Sequence, residues 1–233
     1  MDIFYNRTNE NLDSIVAGLD LTEQDIVLAV GGSGDQAFAM LEFAGRVKVV
    51  DKNQEQVQYI KRRAEALRQG DDVSFRQNTH GAYFYDERLD RIKDKLQHLA
   101  VAEPADIVEL TQREENYSRL YLSNAIGHLN SHMKRSDVTK ILHAVAQKLT
   151  LGGLIYVANH LELVDISREH DSSYATREFL PYEDLSISSF LPTELILSLS
   201  LSQIARERDD CKWNPAVYRK VNNFKILSNS FAL

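Results

Sequence analysis

Apolar positions recur at helical spacing from Leu12 to Leu19, and a polar turn, Leu21-Thr22-Glu23-Gln24-Asp25, follows. Ile26 to Val30 is a short continuous apolar run, the pattern of a parallel strand covered on both faces. Val47 to Val50 is a second such run, and Ala37 to Ala44 between them reads as a helix. Gln54 to Leu67 is a charged helix that stops at Gln69-Gly70 in the manner of a glycine C-cap. Val73 to Arg76 reads as a short third strand. Residues 78–100, with Gly81, Tyr83, Phe84, Tyr85 and an amphipathic helix from Glu87 to Leu99, read as a helical insertion between the third and fourth strands, a lid or acceptor wall.

Two segments compete for the fourth strand, Ala105 to Leu110 and Arg119 to Leu122. The second is favoured because it sets Ser123 and Asn124 at the carboxyl edge of the sheet, where ligands of such folds bind. Arg135 to Leu149 is a helix, Leu151-Gly152-Gly153 a turn and Leu154 to Asn159 a fifth strand. Leu195 to Ala205 fits a strand or a buried helix and is too short to span a bilayer. Tyr218 to Leu227 alternates like a strand. The polar Ser167 to Pro192 stretch between, with Tyr174, Phe179, Tyr182 and Phe190 interleaved, would cover the acceptor side.

The first strand and helix carry the chemistry. Gly31, Gly32 and Gly34 permit positive φ and a close backbone approach to a ligand. Asp51 stands at the end of the second strand about 20 residues after the first glycine, where an acid accepts hydrogen bonds from ribose hydroxyls. A pyrophosphate cradle needs G-x-G-x-x-G; here the order is Gly31, Gly32, Ser33, Gly34, Asp35, with no further glycine until Gly45. Asp35 also brings negative charge to the place a pyrophosphate would take. A nucleoside with a cationic centre and no phosphate suits the turn better, and S-adenosylmethionine is that ligand. Asp35 could meet its amino group, Asn53 could assist the ribose or only shape the turn, and Asn78 could read adenine. Asn124 can hold an acceptor amine or hydroxyl or simply cap the next turn. Tyr121 can stack near the cofactor or belong to the core.

These same residues resemble a known family. The strand, the G-x-x-G-D-Q-A turn and Val49-Val50-Asp51-Lys52-Asn53-Gln54-Glu55-Gln56 are similar to class I S-adenosylmethionine-dependent methyltransferase-like proteins. Within them the chain most resembles the diacylglycerol 3-amino-3-carboxypropyltransferases of betaine-lipid synthesis. Tyr5-Asn6-Arg7-Thr8-Asn9-Glu10-Asn11 looks like that family's Y-x-x-x-x-E-[DN] leader, and Tyr121-Leu122-Ser123-Asn124 like its Y-L-S-N strand end. The chain departs from the pattern at Gln36, where the family has Asn, and at Glu55, where it has Pro.

The resemblance implies an α/β three-layer sandwich with a mainly parallel seven-stranded sheet, the Rossmann-like methyltransferase fold, closed by an antiparallel hairpin at one edge. It implies a cofactor site of Gly31, Gly32, Ser33, Gly34, Asp35, Asp51, Lys52, Asn53, Asn78 and Ser123, catalytic roles for Asn124 and Tyr121, and a leader whose Tyr5 and Glu10 cover the cofactor. The transferred group is methyl or 3-amino-3-carboxypropyl, and the acceptor a small molecule or lipid. A non-catalytic S-adenosylmethionine-binding sensor or scaffold is the alternative.

Composition narrows the setting. The 233 residues, 43% hydrophobic and 26% charged, suffice for one core, and residues 1–233 read as a single domain. A net charge of −7 makes nucleic acid a poor partner, because phosphate contacts need clustered cations. Lys61-Arg62-Arg63 is the one compact basic run, read as a solvated helix face, although a headgroup contact at a membrane surface is compatible with it. The single cysteine, Cys211, excludes an internal disulfide, and with no secretory or transmembrane stretch the chain reads as cytoplasmic. His128 and His132 stand at i, i+4 but lack an H-E-x-x-H motif or paired cysteines, so no metal is expected. Gly32-Ser33-Gly34 is not a hydrolase elbow. Oligomeric state is not legible.

Overall fold

A computed structural model describes residues 5–77, 79, 82–106, 109, 115–123, 125, 135–159, 194–209 and 213–222. Helix α1, Leu12–Leu19, starts because the Asn11 side chain accepts from the Asp13 and Ser14 N–H groups, and it stops where Asp20 turns left-handed at φ 46°. Strand β1, Ile26–Val30, leads through the glycine turn into α2, Asp35–Leu41. Strand β2, Arg46–Val50, is followed by α3, Gln54–Arg68, capped by the Asn53 side chain and followed by Gly70 at φ 73°.

The third strand departs from expectation. Residues 72–76 form a short helix, α4, Asp72–Arg76. Asp71 explains this: its side chain accepts from the Ser74 N–H at 3.0 Å and its carbonyl from the Phe75 N–H at 3.2 Å, so a helical turn forms despite the strand-like alternation. Val73 is left exposed, while Phe75 packs edge-on against Phe38 and Phe84. Helix α5, Asp86–Asp94, and a 3₁₀ turn at Leu96–His98 then precede the true third strand, β3, Leu99–Val101. The described part of 78–100 therefore belongs to the crossover from β2 to β3 and does not separate the third strand from the fourth.

The favoured fourth strand is present as β4, Tyr117–Ser123. Helix α6, Arg135–Lys148, runs directly into β5, Leu149–Val157. Gly152 and Gly153 lie inside β5, not in a turn before it: Leu149 pairs with Tyr117 and Leu154 with Arg119, so the extra residues are taken up as an irregularity. Strand β6, Leu195–Leu197, helix α7, Leu199–Arg208, and β7, Ala216–Lys220, complete the described elements. Leu195 to Ala205 is thus both strand and helix. The last two strands pair antiparallel, but α7 joins them in place of a hairpin turn.

The seven strands form one sheet in the order β3-β2-β1-β4-β5-β7-β6. Every pairing from β3 to β5 is parallel, and β7 runs antiparallel to both its neighbours. Alternate residues feed two cores. Val27, Ala29, Tyr121, Tyr156 and Val217 face α1, α2, α3, α5 and α7; Leu28, Leu120, Leu122, Ile155 and Tyr218 face Ile141, Leu142, Val145 and Ala146 of α6. The result is a three-layer α/β sandwich around a mainly parallel seven-stranded sheet. No described helix is long and apolar enough to cross a membrane.

Candidate functional site

The sheet order reverses beside β1: the chain passes from β1 outward to β3, then returns to place β4 on the other flank. Such a reversal opens a crevice outside the carboxyl ends of the two strands, here between Gly31 after β1 and Ser123 at the end of β4.

On the β1 side, the Gly31 N–H donates to the Val50 carbonyl at 2.7 Å and the Gly34 N–H to the Gly31 carbonyl at 2.8 Å. Gly34 sits at φ 85°, where a Cβ would also lie 3.0 Å from Ile60 Cγ1. A Cβ on Gly31 would lie 3.0 Å from that of Asp51. These two glycines are required by the packing of the turn on α3 and β2. Gly32 differs: at φ 46°, a Cβ there would meet nothing nearer than the Gln36 amide nitrogen at 4.0 Å, so its backbone faces open space.

Asp51 joins the strand end to this turn. Its Oδ2 accepts from the Gly32 N–H at 3.1 Å and its Oδ1 from the Asn53 N–H at 2.9 Å. Partial burial raises its pKa, and these two bonds oppose the rise. A carboxylate has about four lone-pair sites, so two remain for hydroxyl donors. Asn53 turns its side-chain oxygen to the Glu55 N–H as the cap of α3, and Lys52 is exposed.

Asp35 and Ser33 face inward. Asp35 is fully buried, ion-paired with Arg63 at 2.7 Å through Oδ1 and accepting from the Thr8 N–H at 2.9 Å through Oδ2. It is engaged by the protein on both oxygens and is not turned toward a ligand amine. Ser33 accepts from the Asp35 N–H through Oγ and from Arg63 Nη1 through its carbonyl. Arg63 is therefore no part of a solvated face: it is 3% exposed, with its guanidinium over Phe75 and Phe38. Helical spacing carries this signal, since Gln56, Ile60, Arg63 and Leu67 share the buried side of α3.

The leader crosses the crevice. Gln56 donates to the Tyr5 carbonyl at 2.6 Å, Tyr59 to the Asn6 carbonyl at 2.9 Å, and Gln36 to Thr8 Oγ1 at 2.7 Å. On the β4 side Tyr121 donates to Glu10 Oε1 at 2.7 Å, and Ser123, at φ 54°, donates to the same oxygen. Tyr121 is wholly buried with its ring 5.9 Å from that of Tyr156, so it is a core side chain whose hydroxyl orients Glu10. Burial pushes Glu10 up to about 7 against the lowering effect of both donors. The leader motif and the Tyr121-Leu122-Ser123-Asn124 strand end pick out these residues, but not that they meet, because Glu10 is more than 100 residues from the other two. Asn78 and Asn124 lie outside the described residues, as do His128 and His132. Among the described residues no group of three or more His, Cys, Asp or Glu is placed to hold a metal.

No protein-family model matches the chain. No curated protein matches it in sequence either. Its fold is shared with solved structures at low identity. The N-methyltransferase NodS from Bradyrhizobium japonicum WM9, in complex with S-adenosyl-L-homocysteine, is 11% identical over 91% of this chain and 86% of that one, with a TM-score of 0.51. A second NodS structure from that organism is 9% identical over 91% and 94%, with a TM-score of 0.50. Precorrin 8w decarboxylase from Methanobacterium thermoautotrophicum is 19% identical over 61% of this chain, with a TM-score of 0.40, and the chain spans 58% of its length. What the chain shares with NodS is the Rossmann-like methyltransferase architecture.

Proposed function

We propose that the protein is an S-adenosylmethionine-dependent transferase that moves a methyl or 3-amino-3-carboxypropyl group to a small-molecule or lipid acceptor. The observation that carries this reading is the pairing of the open backbone at Gly32 with the Asp51 carboxylate beside it. A nucleoside fits there: its ribose hydroxyls donate to the remaining Asp51 lone pairs, and its chain runs along Gly31–Gly34 toward the crevice. NodS, which has this fold and was solved with S-adenosyl-L-homocysteine, lends support.

When bound, the cofactor supplies a sulfonium that makes its attached carbons electrophilic. The protein's part is alignment and exclusion of water, with proximity able to supply roughly 7–11 kcal/mol of the barrier. Asp35 and Arg63 hold the turn and the Thr8 backbone in place, while Asn124, next after Ser123, holds the acceptor's nitrogen or oxygen. The test is calorimetric titration of S-adenosylmethionine into wild type and Asp51→Ala, followed by analysis of products formed with candidate acceptors. Micromolar binding lost in the variant is the expected result. S-adenosylhomocysteine as by-product assigns methyl transfer, and methylthioadenosine assigns aminocarboxypropyl transfer. No binding to wild type at millimolar ligand overturns the reading.

A further inference from the structure

We propose that Glu10 is the counter-ion of an organic cation bound in the crevice between β1 and β4. The inference deepens the reading above and rests on it for the cation's identity.

Three other buried acids have cations. Asp35 has Arg63 at 2.7 Å, Asp25 has Arg119 at 2.9 Å, and Glu42 has Arg91 at 2.9 Å and Arg88 at 3.3 Å. Glu10 is 4% exposed, yet no cation among the described residues pairs with it. Its two donors, Tyr121 and Ser123, both go to Oε1, and Oε2 has no hydrogen-bond partner among the described residues. Asp35 Oδ1 and Asp72 Oδ1 also lack a hydrogen-bond donor, but those side chains are ion-paired; leaving a buried carboxylate with neither donor on one oxygen nor cation is costly, and Glu10 stands where the sheet topology puts a ligand.

The surroundings favour positive charge. Asp209, after α7, faces Glu10 closely enough to raise its pKa further, and among the described residues the other facing titratable group is Tyr121, with Tyr156 behind it. The carboxyl is also held in position. The neighbouring Asn9 carbonyl accepts from Trp213 Nε1 at 3.2 Å, and the Trp213 N–H donates to Asp209 Oδ2 at 2.6 Å. With burial holding Glu10 at about 7, an arriving cation favours the ionised form and expels a proton.

Three sources of cation suit this chemistry: the sulfonium of S-adenosylmethionine, its α-ammonium, and an amine acceptor. Calorimetry at pH 6 in two buffers of different ionisation enthalpy counts the protons released on binding. The probes are S-adenosylmethionine, S-adenosylhomocysteine, which keeps the ammonium but lacks the sulfonium, and ethylammonium chloride. We expect nearly one proton released per ligand at pH 6 and little at pH 8, with Glu10→Gln abolishing the release and weakening binding about thirtyfold or more. Release with S-adenosylmethionine alone among the two nucleosides assigns the sulfonium, release with both the ammonium, and release only with ethylammonium an amine acceptor. No release from wild type with any probe overturns the proposal, and that result stands even if Glu10→Gln does not fold. Should S-adenosylmethionine bind neither protein, the cofactor reading fails, and the ethylammonium titration still decides Glu10.

Discussion

Exchanging Arg63 for methionine keeps much of the aliphatic stem and removes the charge. The guanidinium lies 4.6 Å over the Phe75 ring and 5.1 Å over Phe38, with Asp35 at 2.7 Å, and the two side chains are 4% and 0% exposed. Removing one partner of so buried a pair leaves the other uncompensated, a loss of about 3–5 kcal/mol. For a chain of this length that is a fall in Tm of roughly 6–20 °C. The double variant Asp35→Asn/Arg63→Met has no orphan charge, and asparagine still offers an oxygen to the Thr8 N–H, so its loss is smaller than the sum of the single losses. Urea denaturation followed by circular dichroism gives all three values. An Arg63→Met variant within about 1 kcal/mol of wild type, or strict additivity in the cycle, would refute the account of this pair.

Gly34→Ala and Gly70→Ala both force a left-handed residue, at about 1–2 kcal/mol, but only the first meets Ile60, so it should be the more destabilising in thermal melts and should also impair cofactor binding. Glu10 has a folded pKa near 7, raised from 4.5, so its ionisation opposes folding: the penalty is absent below about pH 4.5, grows as pH rises to about 7 and is constant above. Wild type should therefore lose stability relative to Glu10→Gln across that window by an amount on the order of 3 kcal/mol, read from denaturation at a series of pH values. Gln36→Ala removes the 2.7 Å bond to Thr8 Oγ1 and should speed proteolysis at Arg7 without a comparable change in global stability.

The first βαβ unit was readable because each of its signals is local: an apolar run, glycines and an acid, all within residues 26–51. The strand expected at Val73 to Arg76 failed because one side chain, Asp71, closed a helical turn over an alternating pattern. Arg63 follows Lys61 and Arg62 in a basic run that looks solvated, yet its spacing from Gln56, Ile60 and Leu67 puts it on the buried stripe of α3. Asp35 reads locally as a free charge at the turn, able to meet a ligand amine, and its balance by Arg63 on another helix is a tertiary fact. Glu10, Tyr121 and Ser123 become a cluster only when a leader and a strand more than 100 residues away meet, and single-chain periodicity is blind to that.

The crevice wall joins the two ends of the described chain. Glu10 waits for residues 111 and 113 positions downstream, Ser14 for the Ala205 carbonyl 191 positions on, and the Asn9 carbonyl for Trp213 at 204. During synthesis β1, α2, β2 and α3 emerge early, and the first leader residues can dock on α2 and α3, but the Glu10 carboxyl and the Asn9 carbonyl have no partners until β4 and then the segment before β7 have left the ribosome. Contacts of such sequence separation form late and slowly. The β1 wall of the crevice can thus be complete while the wall around Glu10 is still open, so the two sides of one site are finished at different times in translation.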